Sequence, residues 1–113
     1  MQILKILRSD EWNELKSKGE SAGAPIDVQD GFIHFSTPAQ AEETARKHFA
    51  GQNELFLLAF DSEAFGPELR WEVSRGGDLF PHLYAPLRLA DVNWAQPLPL
   101  VDGVHEFPAG VLE

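Results

Sequence analysis

Five polar side chains stand within or beside apolar segments of this sequence, and their types suit proton transfer and ligand binding. They are His34, Ser36, Glu72, His82 and Tyr84. An imidazole exchanges protons near neutral pH, a carboxylate stabilises positive charge, and hydroxyl groups orient a ligand through hydrogen bonds. We therefore predict that the two histidines, the glutamate and the tyrosine converge on one concave pocket, and that at least three of these four line its wall.

Each of these residues also has a plain structural explanation, which the sequence leaves open. His34 could be a buried histidine bonded to a backbone carbonyl, and Glu72 could face solvent from its strand. Tyr84 could fill the core beside a kinked strand. Ser36 precedes Thr37, which is sufficient as a helix cap, so Ser36 has no evident structural duty.

Two kinds of catalytic site are disfavoured by spacing. A serine triad of Ser36, His34 and Glu72 lacks the Gly-x-Ser-x-Gly turn that exposes a serine nucleophile. A metal site of His34, His82 and Glu72 is chemically reasonable, because histidine and carboxylate suit several divalent metals. No His-x-x-x-His or His-Glu-x-x-His spacing supports it, however. We expect no metal at this site and no metal requirement for folding.

The apolar pattern predicts the strands that hold these residues. They are predicted at 2–7, 32–35, 55–60, 69–73, 79–84 and 87–94. The strand at 55–60 is apolar on both faces, so we expect it to be central in its sheet. Pro81 interrupts the strand at 79–84, which predicts an edge or irregular strand.

Two helices are predicted. The first begins at Ser9, and the segment 21–25 that follows it is expected to be loop. The second begins after Thr37 and ends at Gly51, and it has the stronger start. Thr37 as N-cap, a proline at the first helical position and Gln40 at the third complete a capping box. The order, with both helices early and four successive strands after them, indicates the α+β class, with antiparallel strands late in the chain.

Length and composition predict one domain over residues 1–113, with an irregular tail at 98–113. The absence of cysteine excludes a thiolate nucleophile, a disulfide framework and a cysteine-based zinc site. No long apolar run or signal-peptide pattern is present, so we expect a cytoplasmic location. The net charge of −9 disfavours nucleic acid and anionic membrane as partners. A small-molecule ligand is the partner that remains, and the oligomeric state has no signal in the sequence.

Three segments together resemble the bacterial "domain of unknown function 952" family. They are 30–37, 70–72 and 80–84, with the sequences DGFIHFST, RWE and FPHLY. The resemblance extends over roughly residues 2–95. One departure is Ala85, where glycine is expected after the tyrosine, and the alanine removes some backbone freedom beside the site.

That family is grouped by fold with the ADP-ribosyltransferase-like superfamily. The resemblance implies a small, curved or split, antiparallel-rich sheet with two helices and an NAD-sized cleft. By resemblance, His34 would contact the ribose and the nicotinamide amide, and Ser36 or Tyr84 would line the nicotinamide pocket. Glu72 would bind the reacting ribose, and His82 would belong to the cofactor-binding set. Such a carboxylate can stabilise the oxocarbenium-like ribose that nicotinamide leaves behind.

Three functions are therefore considered for this chain. The first is an NAD-dependent ADP-ribosyltransferase-like enzyme. The alternative is a non-catalytic module that binds a small, nucleotide-like molecule. An RNA 2′-phosphotransferase is disfavoured, because that activity favours a basic groove and this chain is acidic. Since histidine changes charge between about pH 5 and pH 8, ligand binding at His34 and His82 is expected to depend on pH, and a diphosphate is expected to bind more tightly when both are protonated.

Overall fold

The computed structural model describes residues 1–112, and these form ten strands and three α-helices. The strands are β1 (Gln2–Arg8), β2 (Glu20–Ser21), β3 (Ile33–His34), β4 (Leu55–Asp61), β5 (Leu69–Val73), β6 (Leu79–Leu83), β7 (Leu87–Arg88), β8 (Trp94–Leu98), β9 (Leu100–Val101) and β10 (Val104–His105). The helices are α1 (Ser9–Lys18), α2 (Pro25–Asp30) and α3 (Pro38–His48). The class is α+β, as predicted, and every described strand pair is antiparallel.

The main sheet has the order β1-β4-β8 and is buried on both faces. Alternate residues of β4 face two different apolar clusters: Leu58 and Phe60 lie in one, and Leu55 and Leu57 lie in the other. Each of these four side chains is at most 1% exposed. Burying such a side chain stabilises the fold by about 1.5–3 kcal/mol relative to exposure. The prediction that this strand is central is confirmed.

A second three-stranded sheet, with the order β3-β6-β5, places Pro81 on its middle strand. The prediction of an edge or irregular strand is therefore wrong. The carbonyl of Pro81 accepts a hydrogen bond from the backbone N–H of Phe35 at 3.0 Å. The two backbone groups of a strand residue point to the same side, so the missing N–H also faces Phe35. Because β3 ends at His34, the missing N–H lies at the end of that ladder, and the pairing of β6 with β5 continues through Pro81.

A third helix, α2, was not predicted, because its sequence was assigned in part to loop. Pro25 occupies its first position, and the Asp27 side chain accepts a hydrogen bond from the backbone N–H of Ala24 at 2.7 Å. Gly31 ends it with φ of 85°, a conformation that glycine adopts without strain. A proline at the first position, an acid at the third and a terminal glycine are the same kind of signals that predicted α3.

The last part of the chain also differs from the prediction. The single strand expected at 87–94 is divided into β7 and β8 by a turn of 3₁₀ helix at Leu89–Asp91. The chain turns there because β7 pairs with β2, whereas β8 pairs with β4 in the main sheet. Residues 98–113, expected to be irregular, include the pairing of β9 with β10.

The two three-stranded sheets meet at one backbone bridge. Leu4 of β1 and Ser36, just after β3, exchange two hydrogen bonds of 2.8 and 2.9 Å. The side chains of Ile3, Ile33 and Leu83 then continue one apolar cluster from sheet to sheet. Within residues 1–112, no helix is long and apolar enough to cross a membrane.

Candidate functional site

The four side chains predicted to converge project from one face of the β3-β6-β5 sheet. His34 lies directly opposite His82, and Glu72 lies opposite Phe80 in the same ladder. Because strand side chains alternate, these positions share a face, and Tyr84, two residues after His82, continues it. The prediction that these four residues converge on one pocket requires such a common face.

Glu72 joins two of the other predicted residues through a single carboxylate oxygen. Its Oε1 lies 2.9 Å from Nδ1 of His82 and accepts a hydrogen bond from the Tyr84 hydroxyl at 2.7 Å. The bond from Tyr84 and then that from His82 hold the pKa of Glu72 below its usual range. The same bond to Glu72 raises the pKa of Tyr84. Glu72 is therefore an anion and Tyr84 a neutral phenol at neutral pH.

His82 is the most deeply buried of the predicted residues, at 4% exposure. Since the Glu72 carboxylate can only accept, Nδ1 carries the proton in this contact. Its other ring nitrogen, Nε2, is buried and has no hydrogen-bond partner among the described residues. In the neutral imidazole that nitrogen is a free acceptor.

His34 is held by a buried carboxylate that sequence reasoning missed. One oxygen of Asp27, Oδ1, lies 2.6 Å from Nδ1 of His34 and accepts from the His34 backbone N–H at 2.9 Å. The other, Oδ2, lies 2.7 Å from Nζ of Lys5, which also donates to the His34 carbonyl at 2.9 Å. Two residues fix His34 in place, and neither was among the predicted set.

The ionisation of Asp27 follows from these contacts. Burial alone would raise the pKa of Asp27, but the hydrogen bond from His34 and the charge of Lys5 outweigh burial and hold the pKa below its usual range. Burial lowers the pKa of Lys5 despite the opposing carboxylate. One signal for this pair was present in the sequence, because Lys5 is the single charged residue inside an apolar strand and must find a counter-charge if buried.

Phe32 and Asp30 complete the surroundings of the two imidazoles. The Phe32 ring stacks on His82 with centroids 4.2 Å apart and lies 4.6 Å from the centroid of His34. The rings of His34 and His82 are themselves 5.4 Å apart, edge to face. Asp30 Oδ2 lies 2.9 Å from Nε2 of His34. Carboxylates therefore face both nitrogens of His34 but only one nitrogen of His82.

Ser36 is separated from this cluster. Its hydroxyl lies 2.9 Å from that of Thr44 on α3, and its backbone pairs with Leu4. Ser36 is 7% exposed. The hydroxyl thus ties the strand to the following helix.

A groove of about 680 Å³ runs between α2 and α3 over the junction of the two sheets. His34, His82 and Ser36 line it, whereas Glu72 and Tyr84 do not. The prediction that at least three of the four converging residues line one wall is therefore not met. Glu72 is connected to the groove wall through its hydrogen bond to His82, and Tyr84 through its hydrogen bond to Glu72.

The arrangement contains the parts of a proton-transfer site. A carboxylate orients one nitrogen of an imidazole that lines the groove, and the other nitrogen has no partner among the described residues, as a general base requires. Among the described residues, no group of three or more histidines and carboxylates is arranged to hold a metal ion.

Comparison with known families gives a match over residues 6–95 to the family described as "Protein of unknown function (DUF952)". The chain belongs to this family. Among solved structures, it is similar to protein CC0527 from Caulobacter crescentus. The crystal structure of that protein is 48% identical, with 94% of each chain covered and a TM-score of 0.90.

The solution NMR structure of the same protein is 49% identical, with 91% of this chain and 90% of that chain covered and a TM-score of 0.82. No curated protein matches this chain. The similarity extends across nearly the whole domain, so CC0527 shares this arrangement of strands and helices.

Proposed function

We propose that this DUF952 chain is an enzyme that binds a small organic molecule in the groove and removes a proton at Nε2 of His82. The observation that carries the proposal is the pairing of His82 with Glu72 at one nitrogen and the lack of any partner at the other. Leaving a buried polar atom unpaired costs about 1–3 kcal/mol. A bound ligand or water that donates to Nε2 removes this cost.

Glu72 and Tyr84 support the base in this proposal. The carboxylate keeps the proton on Nδ1 and stabilises the imidazolium that forms when Nε2 accepts a second proton. Tyr84 donates to the same carboxylate oxygen and holds it in position. The proton therefore moves from a ligand or a water O–H to Nε2, and Glu72 balances the new charge.

The test compares wild type with His82→Asn, whose side-chain amide can still donate to Glu72 but has no atom at the Nε2 position. Each protein is incubated with the small-molecule fraction of a bacterial extract, and compounds that disappear are identified by mass spectrometry. A positioned general base contributes about a hundredfold or more to rate, so the variant should consume the substrate at least that much more slowly.

A matched control is His105→Gln, which removes a histidine outside the groove and keeps a donor for the Gln52 carbonyl that His105 contacts. It should consume the substrate like wild type. If His82→Asn turns over the same compounds at the same rate, His82 is not the base. If wild type consumes nothing, the groove belongs to a binding module without chemistry.

An NAD-dependent ADP-ribosyltransferase-like reaction is a second candidate for the same site. The family resemblance associates His34, Glu72 and Tyr84 with NAD, and these three residues lie on one face of the sheet. Glu72 is also ionised, as the reaction requires. The C–N bond to nicotinamide would break and an acceptor hydroxyl would attack the ribosyl cation. Glu72, which meets the groove wall only through its bond to His82, would stabilise that cation by its charge rather than by contact. The acceptor's proton would pass to Nε2 of His82.

Calorimetric titration with NAD and an assay for released nicotinamide test this candidate. Release by wild type and loss of release in Glu72→Gln would support it. Binding of NAD without release would favour the nucleotide-like binding module instead. The groove has no excess of positive charge among its Lys, Arg, Asp and Glu side chains. This counts against an RNA 2′-phosphotransferase and against NAD as well, because both RNA and NAD carry phosphates.

A further inference from the structure

The charged side chains of the groove wall indicate the class of ligand that the groove takes. Its ionised wall residues are two bases and three acids: Lys5, Arg8, Asp10, Glu11 and Asp30. The chain as a whole carries a net charge of −9. The surrounding potential is therefore negative, so a ligand phosphate needs free positive groups in the wall.

Lys5 is not free to bind an anion. Its Nζ is 2.7 Å from Asp27 Oδ2 and donates to the His34 carbonyl, and its side chain is 6% exposed. The Asp27 side chain is fully buried. Turning the ammonium toward a phosphate would leave that carboxylate buried without its counter-charge.

Arg8 is occupied as well. Its Nη1 lies 3.3 Å from Glu11 Oε2, and its Nε donates to Gln52 Oε1 at 3.1 Å. Its guanidinium also lies over the ring of Phe49, 5.4 Å from the centroid. Each of these two basic residues in the wall is therefore paired with a carboxylate.

Asp10 and Asp30 are the wall acids without a Lys or Arg partner among the described residues. Asp30 Oδ2 contacts Nε2 of His34, but that imidazole also faces Asp27, so two carboxylates share one ring. Near them, Nε2 of His82 is a buried acceptor with no partner. The carboxylates of Asp10 and Asp30 and Nε2 of His82 thus offer a ligand acceptors and negative charge.

We infer that the groove takes a ligand that carries a cationic nitrogen and no phosphate, with an N–H or O–H group that donates to Nε2 of His82. The inference rests on the proposed use of this groove and names its ligand class. Apolar side chains, among them Leu4, Ile6, Ile26, Phe49 and Phe80, also line the wall. They suit an organic amine with an aromatic or aliphatic body.

The test uses two probes with a similar ring and opposite charge, benzylammonium and phenyl phosphate, with benzyl alcohol as the neutral reference. Each is titrated into the isotopically labelled full chain, and NMR shifts of His34, His82 and Ile26 are followed. Benzylammonium should shift these resonances at lower concentration than benzyl alcohol, and phenyl phosphate should leave them unchanged. Tighter binding of phenyl phosphate, or no response to benzylammonium, would overturn the inference.

Two charge-neutralising variants locate the effect. Asp30→Asn should weaken benzylammonium binding by about two- to fivefold, the range expected for one partly exposed charge. Asp102→Asn removes the same charge from an exposed turn outside the groove and should leave binding unchanged. Equal effects of the two variants would mean that the probe senses only net charge, and the inference would fail.

The outcomes separate this inference from the proposed function. If the groove prefers phenyl phosphate but His82→Asn loses turnover, the inferred ligand class is refuted and His82 remains the proposed base. If the groove prefers benzylammonium but His82→Asn does not change turnover, the inferred ligand class remains and the role of His82 as base is refuted.

Discussion

Replacement of Asp27 by asparagine should strongly destabilise the fold. The carboxylate accepts from two backbone N–H groups and contacts Lys5 and His34 at 2.7 and 2.6 Å. An amide has one acceptor oxygen in place of two, and its N–H₂ group would face donors. It also leaves the Lys5 ammonium buried without a counter-charge.

The magnitude follows from the burial of both partners. Removing one member of a buried ion pair costs about 3–5 kcal/mol. For a domain of this length, each kcal/mol lowers the melting temperature by roughly 4 °C, so the midpoint should fall by about 12–20 °C. Thermal unfolding followed by circular dichroism measures this directly. The double variant Lys5→Met with Asp27→Leu removes both charges and keeps side chains of similar size. It should recover part of the lost melting temperature.

The pH dependence gives a second measurement on the same variant. Burial already lowers the pKa of Lys5, and loss of Asp27 lowers it further. Between that lowered value and the unfolded value near about 10.4, the unfolded chain binds more protons, so stability rises with pH. Asp27→Asn should therefore regain stability relative to wild type as the pH rises through the further-lowered pKa of its Lys5. A loss below about 1 kcal/mol at neutral pH, with no recovery at alkaline pH, would refute the buried pair.

Three further predictions test other parts of the site. Glu72→Gln should lower the pKa of Tyr84 toward its ordinary value, and ultraviolet titration reads this without interference because Tyr84 is the single tyrosine; an unchanged pKa would contradict the hydrogen bond. Gly23→Ala should cost more stability than Gly31→Ala in denaturant titration, since both have positive φ but only the first Cβ would lie 2.4 Å from the Asp27 carboxylate; equal losses would count against the close approach. A chelator should leave the melting temperature unchanged, and a drop in it would reveal a structural metal.

The main features of the fold could be predicted from the sequence, because they depend on local pattern. The apolar run at 55–60 predicted the central strand, and Thr37 with Gln40 predicted the start of α3, where Gln40 Oε1 accepts from the Thr37 N–H at 3.1 Å. The role of Pro81 could not be predicted in this way. Whether a proline breaks a ladder depends on where the neighbouring strand ends, which is a tertiary property.

The candidate site was predicted in part for the same reason. Strand alternation placed His82 and Glu72 where their side chains could meet. The partner of His34 could not be found from spacing, because Asp27 lies on a short helix that was not predicted. Lys5, the second partner of Asp27, lies on another sheet. Enclosure of the groove likewise depends on α2, so the residues that line it were not predictable from strands alone.

The single bridge between Leu4 and Ser36 has a consequence for how the molecule opens. Within residues 1–112, this is the one backbone bridge between the two three-stranded ladders, and the Lys5 ammonium adds a side-chain bond to the His34 carbonyl. The junction can therefore separate while both ladders keep their own backbone bonds. Such partial opening has a lower free energy than global unfolding, so these two amides should exchange with deuterium faster than amides inside β4. The groove wall draws side chains from both sheets, so an occupant that contacts both would oppose the separation and slow that exchange. The deuterium exchange rate of two backbone amides thus becomes a reporter of occupancy that requires no knowledge of the reaction.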